Sequence, residues 1–332
     1  MAGTVIFTGA NASLAIPAID HLLNEYPEYE LILTVRNTSE SDVNTNRLRE
    51  VISKYPKATA SIRQLDLANL SSVHELAKSI AQEIKDGEHP RIKAIVCAAY
   101  RWNFVRDPES TIDGLNETLQ ISHVSHVALI LRLIGSFGPD GGRILVFSSD
   151  THTPGGSSGE RYPPGIPEDL NLLAKPLVYD DKFGRGFQVY ANVKLTITCW
   201  MHALNRYLQK DPNLSKIAAV AMNPGNLVDS RALQVNTPWW YPVMQTYFLR
   251  PFFPLLRFAD PTLRTAAAAG IDVTELALNP AYATERGYFT LLKQDQSSPE
   301  SQIEEKQQAV WEKSLEWARI TQNDTPLKVS SE

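Results

Sequence analysis

The chain has 332 residues, 43% of them hydrophobic, which is enough to bury one sizeable core without requiring two independent domains. Lys and Arg number 32 against 37 Asp and Glu, a formal charge of -5, so no basic excess draws the chain to nucleic acid. Cys97 and Cys199 each lie in an apolar stretch and read as buried free thiols of a reducing compartment rather than a disulfide framework.

The opening run "MAGTVIFTGA" enters a strand at once, with no charged leader and long apolar region ahead of it. A secretory signal is therefore not expected, and a cytoplasmic location is. After the first strand, "TVIFTG", a helix is expected near 13–24. "YELILTVR" is a second strand, followed by a helix near 46–54; "ASIRQLDL" is a third, followed by the helical spacing of "SSVHELAKSIAQEI". "RIKAIVCAA" is a fourth strand, and a long helix over 115–134 leads to "GRILVFSS". A helix over 190–208 and the strand "SKIAAVAMNPG" follow. Strands alternating with helices this many times predict an α/β, doubly wound (Rossmann) parallel sheet with helices on both faces and right-handed crossovers.

Two segments break the rhythm. Residues 151–187 form a Gly- and Pro-rich insertion, and residues 231–260 form an aromatic flap containing "TPWWYPVMQTYFLRPFFPLLRF". Four prolines and two arginines in that run argue against a membrane-spanning helix. It is read as a lid over an apolar pocket, with peripheral membrane contact as the second reading. "SPESQIEEKQQAVWEKSLEWARI" reads as a surface helix with solvated charges, closing a single catalytic domain over 1–322, and 323–332 as a frayed tail.

Gly9 ends the first strand and a helix follows directly. In a doubly wound sheet this turn is where a dinucleotide pyrophosphate meets free N–H groups at a helix start. Ser13 and Ala15 stand where further glycines would sharpen the signal, but both are small. Arg36 follows the second strand, where a carboxylate would hold the ribose 2′-hydroxyl of NAD. An arginine there pairs with a 2′-phosphate, so NADP is expected over NAD. Asp66, after the third strand, is placed to accept from an adenine amino group, with a local helix-capping arrangement as the competing reading.

Tyr190 and Lys194 stand four apart on a helix and so share a face. A phenol is a poor acid near neutrality; a neighbouring ammonium and a cationic nicotinamide ring are expected to lower its pKa. Tyr190 can then exchange a proton with a carbonyl oxygen while Ser149, at a strand end, donates a hydrogen bond to that oxygen. The pair alone proves little. The order of glycine turn, arginine, serine and tyrosine–lysine pair carries the reading. Seven histidines with no paired ligand motif give no reason to expect a metal.

The stretches "TGANASLA", "QLDL", "VCAA", "VFSS", "YANVK" and "NPG", in this order, resemble the short-chain dehydrogenase/reductase family. The end of the chain, "GYFTLLKQDQSSPESQIEEKQQAVWEKS", is similar to the tails of its retinol-dehydrogenase-like members. The resemblance implies an NAD(P)H cofactor held by Gly9, Asn11, Ser13, Leu14, Arg36, Asp66, Leu67, Ala98, Tyr190, Lys194, Asn223, Pro224 and Gly225. It implies Ser149 as the orienting serine, Tyr190 as the acid/base and Lys194 as the ribose-binding cation. Two departures stand out. Cys97, Ala98, Ala99 and Tyr100 replace the family's Asn-Asn-Ala-Gly, and Ser122 stands where a catalytic asparagine bends the helix and holds a relay water. His123 and His126 are read as packed on that helix, with compensation for the missing asparagine by one of them as the alternative. An interval of 41 residues from Ser149 to Tyr190 is longer than the resemblance requires.

The expected activity is NADPH-dependent reduction of a ketone or aldehyde, or the reverse oxidation, on a bulky apolar molecule of a biosynthetic pathway. An NADP(H)-binding sensor or scaffold without hydride transfer is the rival, and reduction coupled to ring formation is a third reading. Homo-oligomerisation is left open.

Overall fold

The apolar runs of the first two-thirds of the chain become strands of one sheet because nearly every residue in them is buried on one face or the other. The computed structural model describes residues 2–328. The chain runs β1 (Gly3–Thr8), α1 (Ala15–Glu25), β2 (Tyr29–Val35), α2 (Val43–Ser53), β3 (Ala60–Gln64), α3 (Leu70–Asp86) and β4 (Ile92–Cys97). Then come α4 (Glu117–Leu119), a π turn at Gln120–Val124, α5 (Ser125–Leu133), β5 (Gly142–Phe147), α6 (Asn171–Ala174), α7 (Lys182–Lys210) and β6 (Ile217–Asn223). The last third holds β7 (Asn226–Leu227), α8 (Trp240–Met244), α9 (Arg250–Ala259), β8 (Leu263–Arg264), α10 (Ala266–Leu278), β9 (Gly287–Thr290), β10 (Lys293–Gln294) and α11 (Glu304–Ala318).

The main sheet has the order β10-β9-β6-β5-β4-β1-β2-β3, parallel throughout except for antiparallel β10 at its edge. Alternate residues of each strand feed two cores. Val5, Phe7, Leu31 and Leu33 pack with α1 and α10, while Ile6, Ile32, Ile95 and Ile144 pack with α3, α5, α7 and α11. Strand β3 sits at the opposite edge, half-buried. The doubly wound sheet expected from the alternating pattern is thus present.

Chain order reverses between β1 and β4, which leaves a crevice beyond the carboxyl ends of the strands. The stretch 117–136 is long and apolar enough to cross a membrane by length and composition, yet it is mostly buried here as core.

Four expectations change. Helix α7 begins at Lys182, eight residues before Tyr190 and inside the expected insertion. Gly184 and Gly186, weak helix formers, hide those first turns from a sequence reading. Gly186 is there for close approach: a Cβ would lie 2.2 Å from the Asn103 carbonyl oxygen. Second, α11 lies at the surface with Glu304, Glu305, Glu312 and Glu316 in solvent, as expected, but its other face is a deep part of the core. Trp311 is fully buried, its ring 4.4 Å from that of Tyr207 and 5.9 Å from that of Trp200. Third, Thr325 and Leu327 of the expected frayed tail are buried and Asp324 pairs with Arg132 at 2.9 Å; residues 329–332 of that tail lie outside the described residues. Fourth, the proline-rich flap is largely helical. The parallel pair β7–β8 clasps its base, and buried Gln245 donates to the carbonyls of Val228 (3.1 Å) and Ser230 (2.8 Å).

Candidate active site

Parallel register carries the carboxyl ends of β1, β4, β5 and β6 to one edge of the sheet. A cleft of about 510 Å³ opens there, floored by Gly9, Ala98, Ser149 and Asn223 and walled by Tyr100, Trp102, Tyr190 and Tyr241. Gly9 has φ +63, and a Cβ on it would lie 2.9 Å from the Ala99 backbone. The turn therefore passes close under the loop after β4 with nothing projecting into the crevice. Replacing Gly9 by valine adds both a clash and backbone strain of roughly 1–3 kcal/mol. Gly9→Val is expected to weaken NADPH binding at least tenfold and to lower the melting temperature, as read by fluorescence titration and thermal unfolding.

Asn11, Ser13 and Leu14 line the same end of the cleft. Asn11 donates to Thr45 Oγ1 of α2 at 3.0 Å, and Ser13 Oγ accepts the Arg231 N–H at 3.0 Å. The Arg231 guanidinium donates to the Asn11 carbonyl at 2.5 Å, which brings a cation onto the glycine turn. Nothing in the sequence around Arg231 marks it, since it reaches the turn through a loop after β6.

Arg36, Asp66 and Leu67 are not brought into the cleft wall. They follow β2 and β3, beyond its lining. Arg36 is exposed, close enough to influence the Glu117 carboxyl. Asp66 turns back on its own chain to accept the Ala68 N–H at 3.0 Å, and the helix-capping role weighed for a nearby polar residue falls to Asn69, which accepts from the Ser71 and Ser72 N–H groups. Leu67 is buried, its carbonyl accepting from Ser125 Oγ at 2.6 Å.

Ser149 caps the turn after β5, with Oγ donating to Asp150 Oδ1 at 2.8 Å. His152 Nε2 accepts the Ser298 N–H at 2.9 Å, so Nδ1 carries the proton and donates to the Ser149 carbonyl at 2.5 Å. This ties Ser149 to the segment before α11. Lys194 is buried, with Nζ donating to the Phe147 carbonyl at 2.7 Å and standing 5.4 Å from the Tyr190 ring centre. Burial lowers its ammonium to about 7. The Tyr190 phenol is pushed well above its ordinary value, first by burial, then by Tyr100 and Asp150, against a lowering hydrogen bond from Ser149. The expectation that a neighbouring ammonium holds this phenol down is therefore not met by the protein's own groups, because desolvation outweighs them.

Ser122 lies buried outside the cleft lining, in the π turn between α4 and α5, and its Oγ accepts the Arg101 N–H at 3.1 Å. The helix is thus distorted at this position without an asparagine, and the serine holds the loop that carries the aromatic wall. His126 Nε2 is hydrogen-bonded to Thr8 Oγ1 at 2.9 Å, and His123 Nε2 to Ser314 Oγ at 2.7 Å. Burial lowers them to about 4 and about 3, so both are neutral core residues near pH 7.

At the β6 end, Asn223 Oδ1 accepts the Gly225 N–H at 3.0 Å, and Asn223, Pro224 and Gly225 all line the cleft. The far wall is aromatic. Trp102, Tyr100 and Phe104 surround the Tyr190 ring at 5.4, 6.3 and 6.3 Å. The alternation in "YRWNF" is the signal that marks them, as it aims three rings to one side.

The glycine cradle, the buried cation and the length of the crevice fit a nicotinamide dinucleotide laid from Asn11 to Asn223. Among the described residues no cluster of His, Cys, Asp and Glu could hold a metal.

Residues 231–327 match the family of the AcuH dehydrogenase domain, a stretch that spans the flap, α10, β9 and α11 but none of Ser149, Tyr190 or Lys194. The chain is 28% identical over 362 residues to the short-chain dehydrogenase iccH of Talaromyces variabilis, covering 98% of each protein. It is 50% identical over 93 residues to the dehydrogenase acuH of Aspergillus aculeatus, covering 28% of this chain and 95% of that one. An actinorhodin polyketide ketoreductase solved with NADPH shares the fold, with TM-score 0.59 at 12% identity over 87% of this chain and 95% of its own.

Proposed function

The chain belongs to the short-chain dehydrogenase/reductase family, and from that premise we propose that it reduces a ketone on a bulky, ring-containing apolar substrate with NADPH, in a biosynthetic pathway. One observation carries the reading: a buried tyrosine, a buried lysine and Ser149 line one end of a cleft that has a glycine cradle at its other end. A nicotinamide cofactor supplies the hydride. Tyr190 supplies the proton that turns the carbonyl oxygen into a hydroxyl, and its raised pKa keeps it protonated through the neutral range. Ser149 turns its hydroxyl from Asp150 toward the same oxygen and stabilises the charge that develops on it. Lys194 carries a charge that responds to pH near 7, so the electrostatics of the site change there.

The aromatic wall supports the substrate class. Tyr100, Trp102, Phe104 and Tyr241 offer ring faces and edges, which favour planar unsaturated substrates over charged or aliphatic ones. The names of the ketoreductase and dehydrogenase relatives support the reaction type. The test is NADPH oxidation with a panel of aromatic ketones. Turnover supports the reading, and cofactor binding without turnover across the panel would favour a sensor instead.

NADP preference rests on Arg36, supported by the cationic character that Arg231 lends to the glycine turn. A charged hydrogen bond contributes about 1.5–3 kcal/mol, so Arg36→Ala is expected to lower kcat/KM for NADPH roughly 10- to 100-fold and to leave that for NADH unchanged. Equal efficiency with both cofactors, insensitive to the substitution, contradicts it.

A further inference from the structure

The second half of the flap does not cover the cleft. Leu233, Val235, Asn236 and Tyr241 line it, but the chain beyond Gln245 turns outward, and none of α9 is buried. Its apolar residues face solvent. Tyr247 is 74% exposed, Phe248 50%, Phe252 49%, Leu255 69% and Phe258 82%, and Trp239 at the flap's other end is 79% exposed. Phe248, Phe252, Leu255 and Phe258 recur every three or four residues and so share one face of the helix. A contiguous apolar face of this kind on an otherwise acidic protein marks a contact surface.

Charge selects the partner. Between residues 230 and 259 the formally charged side chains are Arg231, Arg250 and Arg257, all positive, although the whole chain carries -5. Arg250 and Arg257 are both exposed. Large aromatic and leucine side chains on one face, tryptophan and tyrosine beside them, and cations without anions are the composition of a helix lying in the headgroup region of an anionic bilayer. A second copy paired two-fold through this same face would set Arg250 and Arg257 against their own like charges, whereas an anionic surface attracts them.

We infer that the flap from Trp239 to Phe258 is a docking surface for an anionic lipid bilayer, seating the protein with the rim of its cleft at the membrane. The surface is independent of the proposed reaction, because no residue of the exposed face touches Ser149, Tyr190 or Lys194. It does make chemical sense of it: an apolar substrate partitions into the bilayer and reaches the aromatic wall without crossing water.

The experiment is flotation of the purified full chain with vesicles in a density gradient, where aggregates sink and bound protein rises. Vesicles of phosphatidylcholine with phosphatidylserine are expected to carry the wild-type protein upward, and vesicles of phosphatidylcholine alone to carry less. The triple variant Phe252→Glu, Leu255→Glu, Phe258→Glu is expected to lose at least roughly tenfold in bound fraction. It is expected to keep its melting temperature and its NADPH oxidation with a water-soluble ketone. Arg250→Glu with Arg257→Glu is expected to abolish the preference for phosphatidylserine. Wild-type protein that remains below both kinds of vesicle overturns the inference. So does a triple variant that floats like the wild type, or one whose sole change is conversion of a dimer to a monomer in gel filtration.

Discussion

Tyr190→Phe is expected to lower ketone-dependent NADPH oxidation by roughly 10²- to 10⁴-fold, the range lost when a positioned proton donor is removed. The phenyl ring keeps the same packing against Trp102, Tyr100 and Phe104, so the wall of the cleft stays in place. What is lost is one hydroxyl whose ionisation burial already opposes. Removing it relieves desolvation, and the variant is expected to melt at or above the wild-type temperature and to bind NADPH as the wild type does. A fall in rate accompanied by equal losses in stability and cofactor affinity would assign the tyrosine to packing instead. Undiminished turnover would remove it from the chemistry.

Lys194→Met is expected to move activity and stability in opposite directions. Burial lowers this ammonium from 10.5 to about 7. Between those values the unfolded chain carries a proton that the folded chain does not, so this residue's contribution makes stability rise with pH across the interval. Its cost is therefore largest below about pH 7. The methionine variant removes that cost while filling similar space. The apoprotein is expected to gain a few kcal/mol near neutrality, since a buried unpaired cation costs several. The gain shrinks by up to about 1.4 kcal/mol per pH unit as the wild type sheds its proton. Urea unfolding of both proteins at several values between pH 7 and pH 9 measures it, a window that ends before buried tyrosines begin to titrate. The same variant is expected to lose at least roughly 10²-fold in turnover. A pH-independent loss of stability would mean that the amine is not held as a buried titrating group.

The sheet was legible because parallel strands buried on both faces read as unbroken apolar runs, as "VIFT", "LILTV" and "AIVC" do. Ser149, Tyr190, Lys194 and the Asn223–Gly225 turn were legible for a second reason: each stands at a strand end or on one helix face, where short-range spacing fixes position. Residues that enter the site by long excursions were hidden. Arg231 meets Asn11 across 220 positions, and His152 meets Ser298 across 146. The burial of α11 was hidden because Trp311 alone does not reveal that Trp200 and Tyr207 await it. The flap concealed its helix behind Pro251 and Pro254. Pro251 directly follows the π turn Gln245–Leu249 that joins α8 to α9, where the helical hydrogen-bond pattern is already irregular. Pro254 lies within the helix, on a segment with no buried residue to displace. The same exposure explains why this run lines the cleft only as far as Tyr241 and stands in solvent over α9.

The raised phenol of Tyr190 leaves the protein's own groups short of what an acid/base needs in the oxidative direction. In the reductive direction that deficit is an advantage, since a neutral phenol is the donor.

The central claim is that Tyr190 and Ser149 converge on one carbonyl oxygen at the nicotinamide end of the cleft. Its most direct test is a crystal structure of the full chain with NADP and a responsive aromatic ketone. Tyr190 Oη and Ser149 Oγ are both expected about 2.6–3.2 Å from the ketone oxygen, with the Ser149–Asp150 hydrogen bond broken. A bound ketone whose oxygen contacts neither hydroxyl, with Ser149 still donating to Asp150, would contradict it.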